Sequence, residues 1–245
     1  MYPPFEVCHG VRRTSEFTTN PDVRTRTTDH RLRTMSTIHT DVTNPDVQHT
    51  DSDGRARTWL KPRQVDRLRD VCLTDAVPTY LQDRNEAIVA LLYDAGLRAG
   101  EVCALDVDHL DLDAGTVYLP SRIQKGSPPP ATLELATDTV RLLRRYLRDR
   151  WKDTGALFPT RSSDRLTTRS LQRLVEKLAT EADVRPQVAG GGVGDPDDVT
   201  PHTLRHSVAY RIIQVDGDRL EDVQLRLRHA NRQTTDQIYS HLVPR

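Results

Sequence analysis

The side chains best suited to phosphate chemistry lie in four separated stretches of this sequence. GLRAGE places Arg98 between one helix end and the next helix start, and QKGSP puts Lys125 at the tip of a hairpin. TPHTLRHSVAYR carries His202 and Arg205 three apart, one turn deep on one face of a helix. Thr200 caps that helix and Pro201 suits its first position. LRLRHAN followed by TTDQIYSHL supplies His229 and Tyr239, ten residues apart. A helix N-terminus offers unpaired N–H groups and the positive end of its dipole, which favours acidic side chains. Cations there become favourable once an anion from outside binds that end. Each stretch taken alone also has an ordinary reading. The helix start with His202 and Arg205 reads as a solvated polar turn, and Arg98 can satisfy carbonyls of the preceding helix. A lysine at a loop tip is unremarkable, with Arg122 a nearby basic alternative, and Tyr239 fits an amphipathic helix.

The elements around these stretches can be read from periodicity. TWLKPRQVDRLRDVCL has helical spacing, with Thr58 as a plausible cap. Residues 84–95 form a strongly apolar helix stopped by Gly96, and Gly100 and Glu101 open a short one. LDAGTVYLPSRIQ and PPPATLELA read as strands of a hairpin around KGSP. A helix follows from Asp138 to Trp151, and a clear amphipathic helix runs from Ser170 to Ala182. VAGGGVGDPDDV is a loop that delivers the chain to Thr200. Leu220–Leu227 and Thr235–Leu242 close the chain as two short helices. The fold class is mainly α with a small antiparallel β-sheet (α+β).

Residues 1–54 have a different texture, rich in Thr, Asp, Asn and Arg, with TNPDV occurring twice. They lack the apolar surface to offset their ordering entropy and read as a low-order segment, leaving 55–245 as the folded domain. The 245 residues are 36% hydrophobic, enough for a core, with no apolar run long enough to span a membrane. The N-terminal residues lack the apolar segment of a signal peptide, which points to the cytoplasm. Cys8, Cys72 and Cys103 are too scattered for a disulfide framework or a metal site. Only four of the 35 basic residues are lysine, and Asp far outnumbers Glu; this bias suits a high-GC genome and a salt-adapted, haloarchaeon-like host. A formal net charge of zero weighs against a nucleic-acid binder, but arginine's planar fork suits bidentate phosphate contacts.

In order and spacing, GLRAGEVCALDVDHLDLDAGTVYL, QKG, TPHTLRHSVAYR, RHAN and IYSHL resemble the catalytic domain of the tyrosine recombinases, the phage integrase family. The similarity covers about residues 58–245. The resemblance implies that fold, and an enzyme that cuts and rejoins DNA at specific sites through a 3′-phosphotyrosyl intermediate, without metal, cofactor or ATP. Tyr239 is then the nucleophile, Arg98 and Arg205 hold the non-bridging oxygens, and Lys125 protonates the departing 5′-oxygen. His202 is a proton acceptor or hydrogen-bond partner near the tyrosine, His229 donates to the phosphate, and Glu101 orients Arg98. His206 and His241 are assigned structural roles. Arg169 and Arg173 are candidate DNA contacts. The implied partners are double-stranded DNA, further copies of the chain in a tetramer, and an accessory protein.

The pattern departs from the family in three places. Arg228 stands where the family has glycine before the histidine matched by His229. The usual N-terminal DNA-clamping domain has no counterpart in residues 1–54, and only six residues follow Tyr239. A DNA-binding protein or decayed integrase fragment without recombinase activity, and a strand relaxase of the topoisomerase IB kind, therefore stand as alternatives.

Overall fold

The computed structural model describes residues 56–229 and 232–243. The long apolar run of the sequence becomes helix α2 (Thr79–Asp94), with every residue from Ala87 to Leu92 buried. A helix that is apolar all round belongs inside a fold. It packs against α1 (Pro62–Cys72), α4 (Thr137–Arg148) and α6 (Pro201–Tyr210). The polar residues in the middle of α2, Arg84 to Glu86, are buried and paired. Arg84 donates to Asn85 Oδ1 at 2.8 Å, and Glu86 accepts from Arg69 and Arg145, each at 2.8 Å. Such pairing is what keeps a charge tolerable inside a core.

The short helix α3 (Ala99–Ala104) follows α2. A three-stranded antiparallel sheet comes next, built from β2 (Leu110–Asp111), β3 (Thr116–Leu119) and β4 (Ala131–Glu134), in that order across the sheet. Val117 pairs with Leu110 on one side and Leu133 on the other, and the register puts Val117, Leu119 and Leu133 into the core. The expected hairpin is therefore present, with the loop holding Lys125 between β3 and β4. Helix α5 (Thr168–Glu181) buries Leu171, Val175 and Leu178, and Thr167 caps it by accepting from the Ser170 N–H. After β5 (Gln187–Val188) comes α6, begun by Thr200 and Pro201 as the sequence predicts; the Thr200 hydroxyl accepts from the Thr203 N–H at 3.2 Å. α6 runs on into a π-helical turn, Arg211–Val215, and α7 (Leu220–Leu227) and α8 (Arg232–Tyr239) follow.

Several expected boundaries move: α2 opens at Thr79, five residues before Arg84, and α8 spans Arg232–Tyr239 in place of Thr235–Leu242. Thr58 does not cap α1; it lies in β1 (Thr58–Trp59), pairs with Val188 of β5, and its hydroxyl meets that of Thr203 at 2.8 Å. Pro62 sets the helix start instead, and the Lys61 N–H is satisfied by Gln64 Oε1 at 2.9 Å. α4 ends at Arg148, so Trp151 lies beyond it and meets Tyr80 edge-on. Cys72 and Cys103 are free and buried, and burial pushes their thiols up to about 12 and about 11. Among the described residues no helix is long and apolar enough to cross a membrane. Residues 1–54, expected to lack order, lie outside the described residues.

The core has two parts. The larger joins α1 to α5 and the sheet. The smaller one gathers Val208, Ile212, Val223, Leu227 and Leu242 around Tyr239, tying α7 and α8 to the far end of α6.

Candidate active site

Arg98 occupies the cap position of α3, and its neighbour in the helix, Glu101, folds back on it. One carboxylate oxygen of Glu101 takes the Arg98 N–H at 2.7 Å, and the other takes Arg98 Nη1 at 2.9 Å. Glu101 is 1% exposed, whereas the Arg98 side chain keeps 30% of its surface in the cleft. Gly96, just upstream, has φ +60°, and a Cβ there would lie 2.6 Å from Leu227 Cδ2. Glycine suits this turn for both reasons.

Arg205, on the second turn of α6, is buried. Its guanidinium donates to the carbonyls of Gly96 and Leu227, which locks α6 to the α2–α3 turn and to the end of α7. Burial first, then the repulsion of Arg98, pulls its pKa down to about 9, so it remains a cation at neutral pH. Arg98, Glu101, Lys125, His202 and Arg205 all line one cleft of about 600 Å³.

Lys125 reaches that cleft because the buried Gln124 anchors the hairpin loop, donating to the carbonyls of Leu119 at 2.9 Å and Pro129 at 3.3 Å. Arg122 borders the cleft too, but its guanidinium turns to His109 Nε2 at 3.3 Å and Asp106 at 3.7 Å. Arg169 lines an adjoining cleft with Gln172, Thr200 and His202, while Arg173 is exposed further along α5.

The histidines form a chain that ends at the tyrosine. His202 is exposed at the start of α6, and its Nε2 lies 2.8 Å from Nε2 of the buried His206. The His206 ring meets Tyr239 edge-on at 5.4 Å, and the His229 ring lies parallel to that of Tyr239 at 6.0 Å. His229 Nδ1 shares a hydrogen bond with the Thr235 hydroxyl at 2.9 Å. Burial, followed by the charges of Arg205 and Arg98, pushes the His229 pKa down to about 3, so its ring is neutral at physiological pH. Tyr239 itself is 2% exposed.

All six residues expected to do chemistry are thus drawn toward one region, with Glu101 beneath Arg98. His206 was assigned only a structural part, yet it bridges His202 and Tyr239; its position four residues after His202 on one helix face was the available signal. His241 packs against Trp59 at 5.5 Å, in keeping with a structural part. Arg228 takes up the left-handed conformation, φ +54° and ψ 49°, at the end of α7. Its guanidinium turns inward to Glu101 Oε2 at 2.6 Å. Among the described residues no three His, Cys, Asp or Glu side chains cluster as a metal site requires.

The sequence profile described as the phage integrase family matches residues 58–245. The chain belongs to that family. Among curated phage integrase relatives, the tyrosine recombinase XerC of Salmonella typhi is 35% identical over 181 residues, covering 73% of this chain and 53% of its own. XerC of Escherichia coli O1:K1 / APEC is 33% identical over 189 residues, covering 74% and 56%. This integrase-family chain therefore spans about half the length of those relatives. Solved structures share the fold. The crystal structure of XerA recombinase aligns with a TM-score of 0.59 at 24% identity, over 76% of this chain and 65% of that one. The catalytic domain of bacteriophage HP1 integrase aligns at 0.52 and 18% identity, over 77% and 89%.

Proposed function

We propose that this chain cuts and rejoins double-stranded DNA at specific sites, as a tyrosine recombinase acting in the cytoplasm. The observation that carries the reading is the convergence of Arg98, Lys125, His202 and Arg205 on one cleft, with Tyr239 in ring contact with both His206 and His229. In this mechanism the Tyr239 oxygen attacks the scissile phosphorus, and the bond to the 5′-oxygen breaks. The products are a 3′-phosphotyrosyl link and a strand with a free 5′-hydroxyl. The phenolic proton passes to His202, directly or through His206, and Lys125 supplies the proton taken by the departing oxygen. Arg98 and Arg205 hold the non-bridging oxygens as charge builds on phosphorus, and neutral His229 donates to the same group. The phosphodiester energy is kept in the covalent link, so attack by a 5′-hydroxyl reseals the strand without ATP.

The depth of Tyr239 means that its hydroxyl meets DNA only after α8 shifts. DNA triggers that shift in this reading, because the cleft's arginines repel one another until a phosphate arrives. Arg169 and Arg173 would contact the backbone beside the scissile phosphate, and paired sites would be held by four copies of the chain with an accessory protein.

The test is covalent trapping. Nicked duplexes drawn from the DNA flanking the chain's own coding sequence are incubated with the protein, without metal or ATP, and resolved in SDS. A protein adduct on the 3′-phosphate, absent from Tyr239→Phe, is the expected result. Intact DNA binding with no adduct would favour a binding protein instead.

A further inference from the structure

Arg228 occupies a position that is unfavourable for any residue with a Cβ, since its backbone is left-handed at φ +54°. Glycine would be the natural choice there, as the usual residue just past a helix end. The side chain is nevertheless held inside, its surface only 10% exposed, by an ion pair to Glu101, 127 residues away in sequence. Its Nε and Nη1 are buried without a hydrogen-bond partner among the described residues. The single hydrogen bond to Glu101 leaves Nε and Nη1 unused, so donor satisfaction does not explain why a guanidinium is kept in this place. Charge does. Glu101 is a buried carboxylate directly beneath the cleft, and it is shared by Arg98 through Oε1 and Arg228 through Oε2. Arg228 is also close enough to Arg205 and His229 to oppose positive charge on both.

We infer that Arg228 is a positioning residue for the phosphate site: by neutralising Glu101 it leaves Arg98 free to turn its remaining N–H groups to an incoming phosphate. Without Arg228, Arg98 is the only guanidinium among the described residues bonded directly to that buried carboxylate, and it is held back from the cleft. Glu101 would then also repel the substrate. With Arg228, three guanidiniums stand against one carboxylate, and the excess positive charge faces the cleft. The inference rests on the recombinase reading for its substrate, though not for the anion site itself.

A double-mutant cycle tests it, using Arg228→Gly, which suits the left-handed backbone, and Glu101→Gln. In the wild-type background Arg228→Gly is expected to slow adduct formation on the nicked duplex by about tenfold, with DNA affinity changed by less than about twofold. In the Glu101→Gln background the same change should cost less than about threefold, because the carboxylate to be neutralised is gone. Arg228→Lys should restore most of the wild-type rate. An equal loss in both backgrounds, or a loss of DNA affinity at an unchanged rate, overturns the inference. Calorimetric titration with inorganic phosphate separates the two readings. If the wild-type chain forms no adduct, the recombinase reading fails, while phosphate binding weakened by Arg228→Gly and restored by Arg228→Lys still upholds the role of Arg228. Phosphate affinity equal in wild type and Arg228→Gly sinks it.

Discussion

His202 and His206 lie on successive turns of α6 with their Nε2 atoms 2.8 Å apart. A bond between two imidazole nitrogens needs one donor and one acceptor, so the pair shares a proton between an exposed ring and a buried one. The buried ring lies against Tyr239.

That arrangement makes His206 more than packing. His206→Phe keeps an aromatic ring beside Tyr239 but removes the nitrogen that bonds His202. Adduct formation is expected to fall by about tenfold or more while DNA affinity holds. Single-turnover cleavage and a binding titration on the same duplex measure both. An unchanged cleavage rate would return His206 to a purely structural role.

Lys125 and Arg122 border the same cleft, and leaving-group chemistry tells them apart. Lys125→Ala should slow cleavage by about a hundredfold on an ordinary strand. A strand with sulfur in place of the bridging 5′-oxygen should be cut almost as fast by this variant as by wild type, because a thiolate departs without a proton. Arg122→Ala should show no such rescue, its guanidinium being committed to Asp106 and His109. Rescue of Arg122→Ala instead would exchange the two roles.

Gly96→Ala meets two obstacles at once: the backbone is at φ +60°, and Leu227 Cδ2 would lie 2.6 Å from the new Cβ. The expected loss is about 2 kcal/mol of stability, read by urea unfolding. Leu227→Ala should recover only the steric part, since the positive φ remains. Activity should fall further than stability, because the Gly96 and Leu227 carbonyls both hold Arg205.

His229 gives the fold a pH dependence. In the unfolded chain it binds a proton below its ordinary pKa of 6.5, whereas the folded chain refuses that proton down to about pH 3. The stability associated with its neutral form is therefore present above pH 6.5 and declines as pH falls toward 3. The steepest slope from this group is about 1.4 kcal/mol per pH unit. Urea unfolding between pH 7 and roughly pH 5 should show a shallower decline in His229→Gln than in wild type, given one titrating group removed. Parallel declines would mean that His229 is protonated within the fold.

Local signals carried much of the molecule. The Thr200–Pro201 helix start, the apolar run that becomes α2 and the stripe of α5 each express short-range stereochemistry or periodic burial, and all appear as read. The start of α1 was misread because Thr58 had a cap's chemistry, while its real partners, Val188 and Thr203, lie more than a hundred residues away. The residues suited to phosphate chemistry were legible one by one from their types, spacing and family pattern. That identification came from the sequence.

Only the folded chain decides what those residues touch. Arg205 reaches the carbonyls of Gly96 and Leu227, Arg228 turns onto Glu101, and His206 joins His202 to Tyr239. Except for the His202–His206 pair, these contacts join segments that no helical or strand period connects. The sequence thus determined the helices, the hairpin and the inventory of cations, histidines and the tyrosine. The tertiary structure determined which carboxylate balances which arginine and that Tyr239 rests buried, because burial and charge pairing depend on distances in space that close only when the whole core packs.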